Sequence, residues 1–395
     1  MKREIVLAYV YVMLCGMVAS TLLVPLVRRL ALRFHIVDAP GDRKVHLNAV
    51  PLLGGVAVFG AFYLVVFGNL FLLRFLIQHP WIHRFFPDVL YRLQTVTLVS
   101  GRLRALFLGG MVIMILGLID DVRGTDFSYR IKFAVQIIVA IILVASGMTI
   151  SLFGRVPFLG DLIVILWVVG ITNAFNLLDN MNGLSSGVAI ICLTMLMLVA
   201  VREQEFFVAL IMGAMVGVLL GFFRFNFLRG KIFLGDAGSL FIGYTLASLS
   251  LLIGYLNSGQ YTLFPVLMPI MILGLPIFDT FSVIVIRWRR GKPLFIGDTN
   301  HLSHRLVALG MSSTQAVAFI FLITFALAAN GIFLRYATTT RSIFVVLQGL
   351  GIVAIVALLM VVGERRSPSN DESNLSAGQQ KAPRELVESA GRRQD

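Results

Sequence analysis

Long apolar segments alternate with short polar ones from Ile5 almost to Val362. A helix needs about 20 apolar residues to cross a bilayer, and we count eleven apolar segments, of which the third and fourth are short. The weak alternation of lipid-facing barrel strands is absent, so the pattern predicts an all-α polytopic integral membrane protein with about eleven transmembrane helices. The predicted spans are Ile5–Val27, Leu52–Leu73, Ala105–Ile119, Phe133–Ser146, Leu162–Leu178, Leu184–Val201, Phe206–Phe223, Leu240–Leu256, Leu263–Ile286, Ala316–Leu334 and Ile343–Val362.

Two polar appendages accompany a membrane domain that we place at residues 1–363. Residues 74–104 mix aromatic and basic side chains around two prolines, which predicts an interfacial helix on the outer leaflet. His79 and His83 lie one turn apart there, but no acidic or cysteine ligand accompanies them, so an interfacial pair is favoured over a metal site. Residues 364–395 are polar and rich in Ser, Gln and Pro, and we predict a disordered cytoplasmic tail.

Composition and charge limit the partners of this chain. With 58% hydrophobic and 13% charged residues, it cannot build a water-soluble surface. A net charge of +13 would suggest nucleic acid in a soluble protein, but 22 of the 33 Lys and Arg residues fall on the inner side if the N-terminus is outside. We therefore expect no nucleic acid, and instead anionic membrane lipids and phosphorylated substrates. Cys15 and Cys192 lie in apolar segments and indicate neither a disulfide nor a metal site.

Charged residues concentrate where particular spans meet the inner side, and the first such cluster is Asp120-Asp121. Two adjacent carboxylates repel each other, and at a helix C-terminus they also oppose the macrodipole. A divalent cation, a phosphate-linked proton or Lys132 would offset that repulsion. The alternative is a solvated turn paired with Arg123 and Arg130.

Two further clusters flank later spans. Asn173, Asn176 and Asp179 share one helical face, and Asn182 follows in the turn before Gly183. This segment is either a binding site or a helix-capping turn. In Gly235-Asp236-Ala-Gly-Ser239, Asp236 either caps a helix or presents its carboxylate to a cation, with an open helix N-terminus for a phosphate.

The last two clusters are basic. His301 and His304 lie three residues apart beside Arg305, which fits a phosphate-binding cluster better than a zinc pair because several arginines precede them. Lys44 and His46 precede Gly54-Gly55, a pair typical of close helix packing, and we expect them to hold a lipid phosphate.

The predicted topology places all five clusters on one side of the membrane, which indicates an interfacial active site. Hard oxygen ligands suit Mg²⁺ or Mn²⁺ and basic side chains suit phosphates, so phosphoryl transfer is the favoured class. One rival is a lipid-linked sugar transporter, although carriers place ionisable groups nearer the midplane. Another is an intramembrane metallohydrolase with His301 and His304 as zinc ligands.

From Asp38 to Arg305 the five motifs resemble, in order, those of the polyprenyl-phosphate N-acetylhexosamine-1-phosphate transferases. The resemblance implies a multi-pass plasma-membrane enzyme with a cytoplasmic active site. With Mg²⁺ it would couple a UDP-amino sugar to a polyprenyl phosphate, release UMP and begin cell-envelope glycan synthesis. The implied catalytic residues are Asp120, Asp121, Asp179 and His301, the implied metal ligands are Asp236 and Asp179, and the implied substrate-binding residues are Lys44, His46, Asn173, Asn176, Asn182, His304 and Arg305.

Two departures from the family pattern matter. The family commonly reads Asp-Gly-x-Asp-Gly where this chain has Asp179-Asn180-Met-Asn182-Gly183, so Asn182 cannot act as a base. Ser303 stands where a further histidine is usual. The entry motif Pro51-Leu-Leu-Gly-Gly and the split histidines resemble the branch that uses UDP-GlcNAc, with the phospho-MurNAc-pentapeptide transferases as the alternative. The sequence does not specify the sugar, the lipid length, the envelope polymer or whether the protein forms a homodimer. It also does not distinguish direct attack from a covalent Asp intermediate.

Overall fold

The computed structural model describes residues 3–38, 50–79, 84–93, 96–124, 127–149, 157–227, 230–253, 264–291 and 300–366. These residues form a helical bundle with one short antiparallel ribbon, β1 (Val37–Asp38) paired with β2 (Val50–Pro51). The helices are α1 (Arg3–Arg33), α2 (Gly54–Leu76), α3 (Pro87–Leu93), α4 (Val96–Arg123), α5 (Tyr129–Ala145), α6 (Pro157–Leu178), α7 (Leu184–Arg202), α8 (Phe206–Asn226), α9 (Gly235–Leu251), α10 (Phe264–Ile272), α11 (Gly274–Arg289), α12 (Leu302–Ala308), α13 (Ser313–Tyr336) and α14 (Thr339–Arg366).

The number of membrane spans differs from the predicted eleven. Among the described residues, eight helices are long and apolar enough to cross a membrane, or nine if the bent pair α10 and α11 counts as one span. Helices α5 and α9 have only 17 residues each, which at 1.5 Å per residue gives about 25 Å against a hydrocarbon core of about 30 Å. The helical, multi-pass architecture is confirmed, and the count of eleven is not.

The predicted span Leu263–Ile286 is broken into α10 and α11, which meet at an angle of 73°. The break has a local cause in Pro276, because proline has no N–H to donate to the carbonyl of Ile272 four residues earlier. The buried thiol of Cys192 donates to that carbonyl instead, with the sulfur 3.2 Å from the oxygen. Cys192 thus satisfies a backbone group at the break.

Helix α9 lies at the centre of the bundle, and every residue from 237 to 250 in it is buried. Glycines on its neighbours allow backbone contact with its first turn. A Cβ on Gly55 of α2 would lie 2.1 Å from the backbone nitrogen of Gly238, and one on Gly117 of α4 would lie 2.5 Å from the Cα of Ala237. The close packing predicted for the glycine pair is confirmed, and it fixes the end of α9 that carries Asp236.

Candidate active site

The carboxylate of Asp236, in the first turn of α9, lies at the centre of a polar cluster. Its Oδ1 accepts a hydrogen bond from Nδ2 of Asn176 at 2.7 Å, and its Oδ2 accepts one from Nζ of Lys132 at 2.9 Å. The same ammonium group forms an ion pair with Asp120 at the end of α4. Asn176 also donates to Oγ of Ser239 at 2.9 Å. Three of the predicted clusters, more than 50 residues apart in sequence, are therefore joined by side-chain contacts.

Asp121 caps the N-terminus of α9. Its Oδ1 accepts from the backbone N–H of Asp236 at 2.7 Å, and its Oδ2 accepts from that of Ala237 at 3.0 Å. A carboxylate at a helix N-terminus also interacts favourably with the macrodipole. Gly235 permits this arrangement, because its φ is +70° and a Cβ there would lie 2.6 Å from Oδ2 of Asp121. The two adjacent aspartates therefore have different partners.

Asp179 follows the last residue of α6, on the same side of the bundle as the cluster. Burial raises the pKa of its carboxyl well above the usual range, and the negative charges of Asp236 and Asp121 raise the pKa further. A bound cation would relieve that repulsion and favour the ionised form. The described residues contain no group of three or more His, Cys, Asp or Glu side chains arranged to hold a metal. Mg²⁺ commonly takes only one or two carboxylates together with substrate phosphates and water, so Asp236 and Asp179 fit such an ion.

The amides predicted to bind substrate divide into two kinds. Nδ2 of Asn173 donates to Oε1 of Gln136 at 2.5 Å and to the carbonyl of Val169 at 2.8 Å, so this side chain joins α6 to α5. Asn182 is exposed in the turn before α7. The structure thus leaves Asn182 accessible to a ligand and gives Asn173 a packing role.

Asn226, at the end of α8, is a positioning residue that sequence analysis missed. Its buried side chain accepts from the backbone N–H of Gly183 at 2.7 Å and donates to the carbonyl of Ile232 at 2.9 Å. These bonds hold the turn that carries Asn182 against the segment that leads to Asp236. The signal in the sequence was an asparagine just beyond the predicted span Phe206–Phe223, which did not stand out without knowledge of its neighbours.

The histidine cluster lies on α12 and the residue before it. His301 is buried, and its Nδ1 lies 2.8 Å from Oδ2 of Asp279, an acidic residue of α11 that sequence analysis did not select. Arg305 is also buried, and it donates to the carbonyl oxygens of Met360 at 2.7 Å and Asn300 at 3.0 Å. His304 is partly exposed. The structure therefore gives Arg305 an anchoring role in addition to any contact with substrate.

The entry cluster is only partly described. Lys44 and His46 come between β1 and β2 in the sequence and lie outside the described residues. His83 also lies outside them. The glycines that follow β2 are well placed, however. The backbone N–H groups of Gly54 and Gly55 donate to the carbonyls of Phe233 at 3.0 Å and Leu234 at 2.8 Å. The start of α2 therefore lies against the residues that lead into α9.

Comparison with known proteins places these motifs in a family. The profile of glycosyl transferase family 4 matches residues 103–254. The chain is 33% identical, over 93% of its length and 97% of the relative, to the Bacillus subtilis protein named "Probable undecaprenyl-phosphate N-acetylglucosaminyl 1-phosphate transferase". It is 32% identical, over 84% of its length and 85% of the relative, to the Mycobacterium tuberculosis decaprenyl-phosphate N-acetylglucosaminephosphotransferase.

A third relative is more distant. The undecaprenyl-phosphate alpha-N-acetylglucosaminyl 1-phosphate transferase of Salmonella typhi is 26% identical over 80% of this chain and 82% of the relative. The matches extend across nearly the whole membrane domain, including the segments that carry Asp120, Asp121, Asn176 and Asp236. The chain belongs to the family of polyprenyl-phosphate N-acetylhexosamine-1-phosphate transferases.

Proposed function

We propose that this protein transfers N-acetylglucosamine 1-phosphate from UDP-GlcNAc to a polyprenyl phosphate, giving a polyprenyl-diphosphate sugar and UMP. The observation that carries the proposal is the Asp120, Lys132 and Asp236 cluster at one end of the bundle, in a chain whose relatives are named for this reaction. A phosphate oxygen of the lipid attacks the sugar-bearing phosphorus of the donor. One P–O bond forms, the bond to UMP breaks, and the number of phosphoanhydride bonds is unchanged.

We propose further that Mg²⁺ serves this site, with Asp236 and Asp179 as its protein ligands and Mn²⁺ as a substitute. The ion would neutralise charge that develops on the diphosphate. Asn176 orients the Asp236 carboxylate through its bond to Oδ1, and Lys132 balances the charge of two carboxylates. Both oxygens of Asp121 accept backbone N–H groups, which disfavours this residue as a covalent nucleophile and supports direct attack by the lipid phosphate.

We propose that the protein lies in the plasma membrane with this site on the cytoplasmic face. The site residues lie at the ends of apolar helices rather than near their middles. At the helix ends a headgroup phosphate would meet a soluble nucleotide. The inward bias of Lys and Arg along the chain favours the cytoplasmic side. In that position the enzyme would act as the first membrane step of cell-envelope glycan synthesis.

The deciding assay uses the purified protein in nanodiscs with polyprenyl phosphate, Mg²⁺ and one UDP-sugar at a time, and it measures UMP. We expect release with UDP-GlcNAc, loss of release with EDTA and recovery on adding Mg²⁺. Turnover with UDP-MurNAc-pentapeptide instead would favour the peptidoglycan alternative. Absence of UMP with every donor, from protein that remains folded, would contradict transferase activity, and sugar-lipid transport without UMP would identify a carrier.

Lys132→Met is expected to lower UMP release strongly, since two carboxylates then face each other without their shared cation. A loss on the order of 10²-fold is the scale for one preorganised charged group at a reaction centre. Lys231→Met is the matched control, because this exposed lysine lies in the segment leading to the same end of α9. Equal activity in the two variants would remove Lys132 from the reaction.

A stop codon after Arg366 is expected to leave UMP release unchanged, because the truncation keeps all of α14 and with it the carbonyl of Met360 that accepts from Arg305. A second stop after Leu359 removes that carbonyl and should lower both activity and the melting temperature. Measured UMP release and thermal unfolding of the two variants check the pair. Inactivity of the longer variant despite a normal melting temperature would contradict the expectation.

A further inference from the structure

Asp279 is an acidic residue buried within the apolar helix α11. Asp279 is 2% exposed, and it is the only Asp or Glu in α11. Burying a carboxylate costs several kcal/mol, by order of magnitude, unless it is paired and hydrogen-bonded. A residue of this kind inside an apolar segment therefore indicates a specific partner.

That partner is His301, which is 4% exposed. Oδ2 of Asp279 lies 2.8 Å from Nδ1 of His301, and Oδ1 accepts the backbone N–H of Leu302 at 2.8 Å. An ionised carboxylate only accepts hydrogen bonds, so in an ion pair or charge-assisted bond with Asp279 the hydrogen is on Nδ1. Nε2 is then the ring nitrogen left for another group, as an acceptor in neutral imidazole or as a donor in imidazolium.

The helix after this histidine is held by other elements as well. Oγ of Ser303 donates to Oδ1 of Asn180 at 2.6 Å, which joins α12 to the turn after Asp179. Arg305 joins α12 to α14 through the carbonyl of Met360. The positions occupied by Asn180 and Ser303 are two at which the sequence departs from the family pattern, and here they contact each other. These contacts leave His301 little freedom to reorient.

We propose that Asp279 is a positioning residue that fixes the Nδ1-protonated form of His301 and thereby presents Nε2 to the phosphate groups of the substrates. This role rests on the proposed transferase function and adds a residue to it. An Asp–His pair of this type sets both the tautomer and the orientation of the imidazole. The competing role is a purely structural one, in which Asp279 only caps α12.

Asp279→Asn separates the two roles because it is nearly isosteric. The amide oxygen can still accept the N–H of Leu302, while the amide NH₂ then faces Nδ1 and requires it to be an acceptor. The hydrogen on the ring moves to Nε2, so the tautomer is inverted with the helix cap preserved. Asp161→Asn, near the opposite end of the bundle in α6, is the matched control.

The experiment measures kcat, KM and melting temperature for Asp279→Asn, His301→Gln and the double variant in nanodiscs. We expect Asp279→Asn to lose about 10- to 100-fold in kcat, by analogy with partners that orient metal-bound imidazoles, and His301→Gln to lose at least as much. The double variant should be no slower than His301→Gln, because Asp279 acts through that ring. Multiplied losses, or a lowered melting temperature with normal kcat, would overturn the proposal.

A second measurement keeps the inference separate from the proposed function. Nitrogen-15 NMR of histidine-labelled protein, with His301 assigned from His301→Gln, should show hydrogen on Nδ1 in the wild type and on Nε2 alone in Asp279→Asn. If the wild type releases no UMP from any donor, the transferase proposal fails. The tautomer measurement still decides whether Asp279 sets the tautomer of His301. An Nε2-only tautomer in the wild type would refute it.

Discussion

Asp236→Asn is expected to reduce UMP release below detection, or by at least about 10²- to 10³-fold, the scale for removing a preorganised charge at a reaction centre. The substitution keeps the shape of the side chain but removes the charge that pairs with Lys132 at 2.9 Å. With the amide oxygen still facing Asn176, the new NH₂ group faces the lysine ammonium, so two donors oppose each other. The same change removes the charge proposed to hold Mg²⁺.

UMP release is measured across a range of Mg²⁺ concentrations, with Asp161→Asn as the control for an Asp-to-Asn change elsewhere. A variant that recovers at raised Mg²⁺ would indicate weakened ligation and support the proposed metal role. Activity equal to wild type at ordinary Mg²⁺ would remove Asp236 from the metal site. A melting temperature close to wild type in the inactive variant assigns the loss to chemistry rather than to unfolding.

The sequence was sufficient to select several residues that the structure brings together, because their signals are local. Adjacent carboxylates at the end of an apolar segment, as in Asp120-Asp121, are unfavourable without a compensating group, and that conflict can be seen without a structure. Gly54-Gly55 likewise predicted a close approach that the structure confirms. The sequence did not reveal the partners of these residues. Asp121 accepts hydrogen bonds from the backbone of Asp236 and Ala237, which follow it by 115 and 116 positions.

The residues that sequence analysis missed share one property, which is that their role depends on partners far away in the sequence. Asn226 acts through Gly183 and Ile232, and Asp279 acts through His301 and Leu302. A single acidic residue in an apolar helix was a usable signal for Asp279. The count of eleven spans is not confirmed for a different reason, because apolar composition does not reveal the break that Pro276 imposes. Helices α5 and α9 have only 17 residues each, and for α5 the short predicted segment Phe133–Ser146 already indicated this.

Asp120 and Asp121 are expected to respond differently to the same substitution. In the wild type, two backbone N–H groups at the N-terminus of α9 donate to the carboxylate oxygens of Asp121. Asp121→Asn removes one of these acceptors and the negative charge. Charge-assisted bonds of this kind contribute about 1.5 to 3 kcal/mol, so we expect a lower melting temperature. Because Asp236 lies in the turn that Asp121 caps, activity should also be lost, and it should stay low at every pH.

Asp120→Asn should leave the fold intact, since Asp120 contacts the side chain of Lys132 rather than the backbone of α9, and Lys132 keeps its bond to Asp236. We propose that the Asp120 carboxylate favours the attacking, fully ionised form of the lipid phosphate. A phosphate monoester has a second pKa of about 6, so a base matters mainly below that pH. The rate of Asp120→Asn should therefore be lowest under acidic conditions and recover as the pH rises.

The test is a pH–rate profile and a melting curve for each variant, with Asp120→Glu and Asp121→Glu as charge-conserving controls. Recovery at high pH in Asp120→Asn alone, with a lowered melting temperature in Asp121→Asn alone, is the expected pattern. The pattern follows from geometry: successive residues on a helix point about 100° apart, so adjacent carboxylates reach different groups. Identical profiles, Mg²⁺ dependence and melting temperatures in the two Asn variants would mean that the aspartates act as one unit, and the division of roles would be wrong.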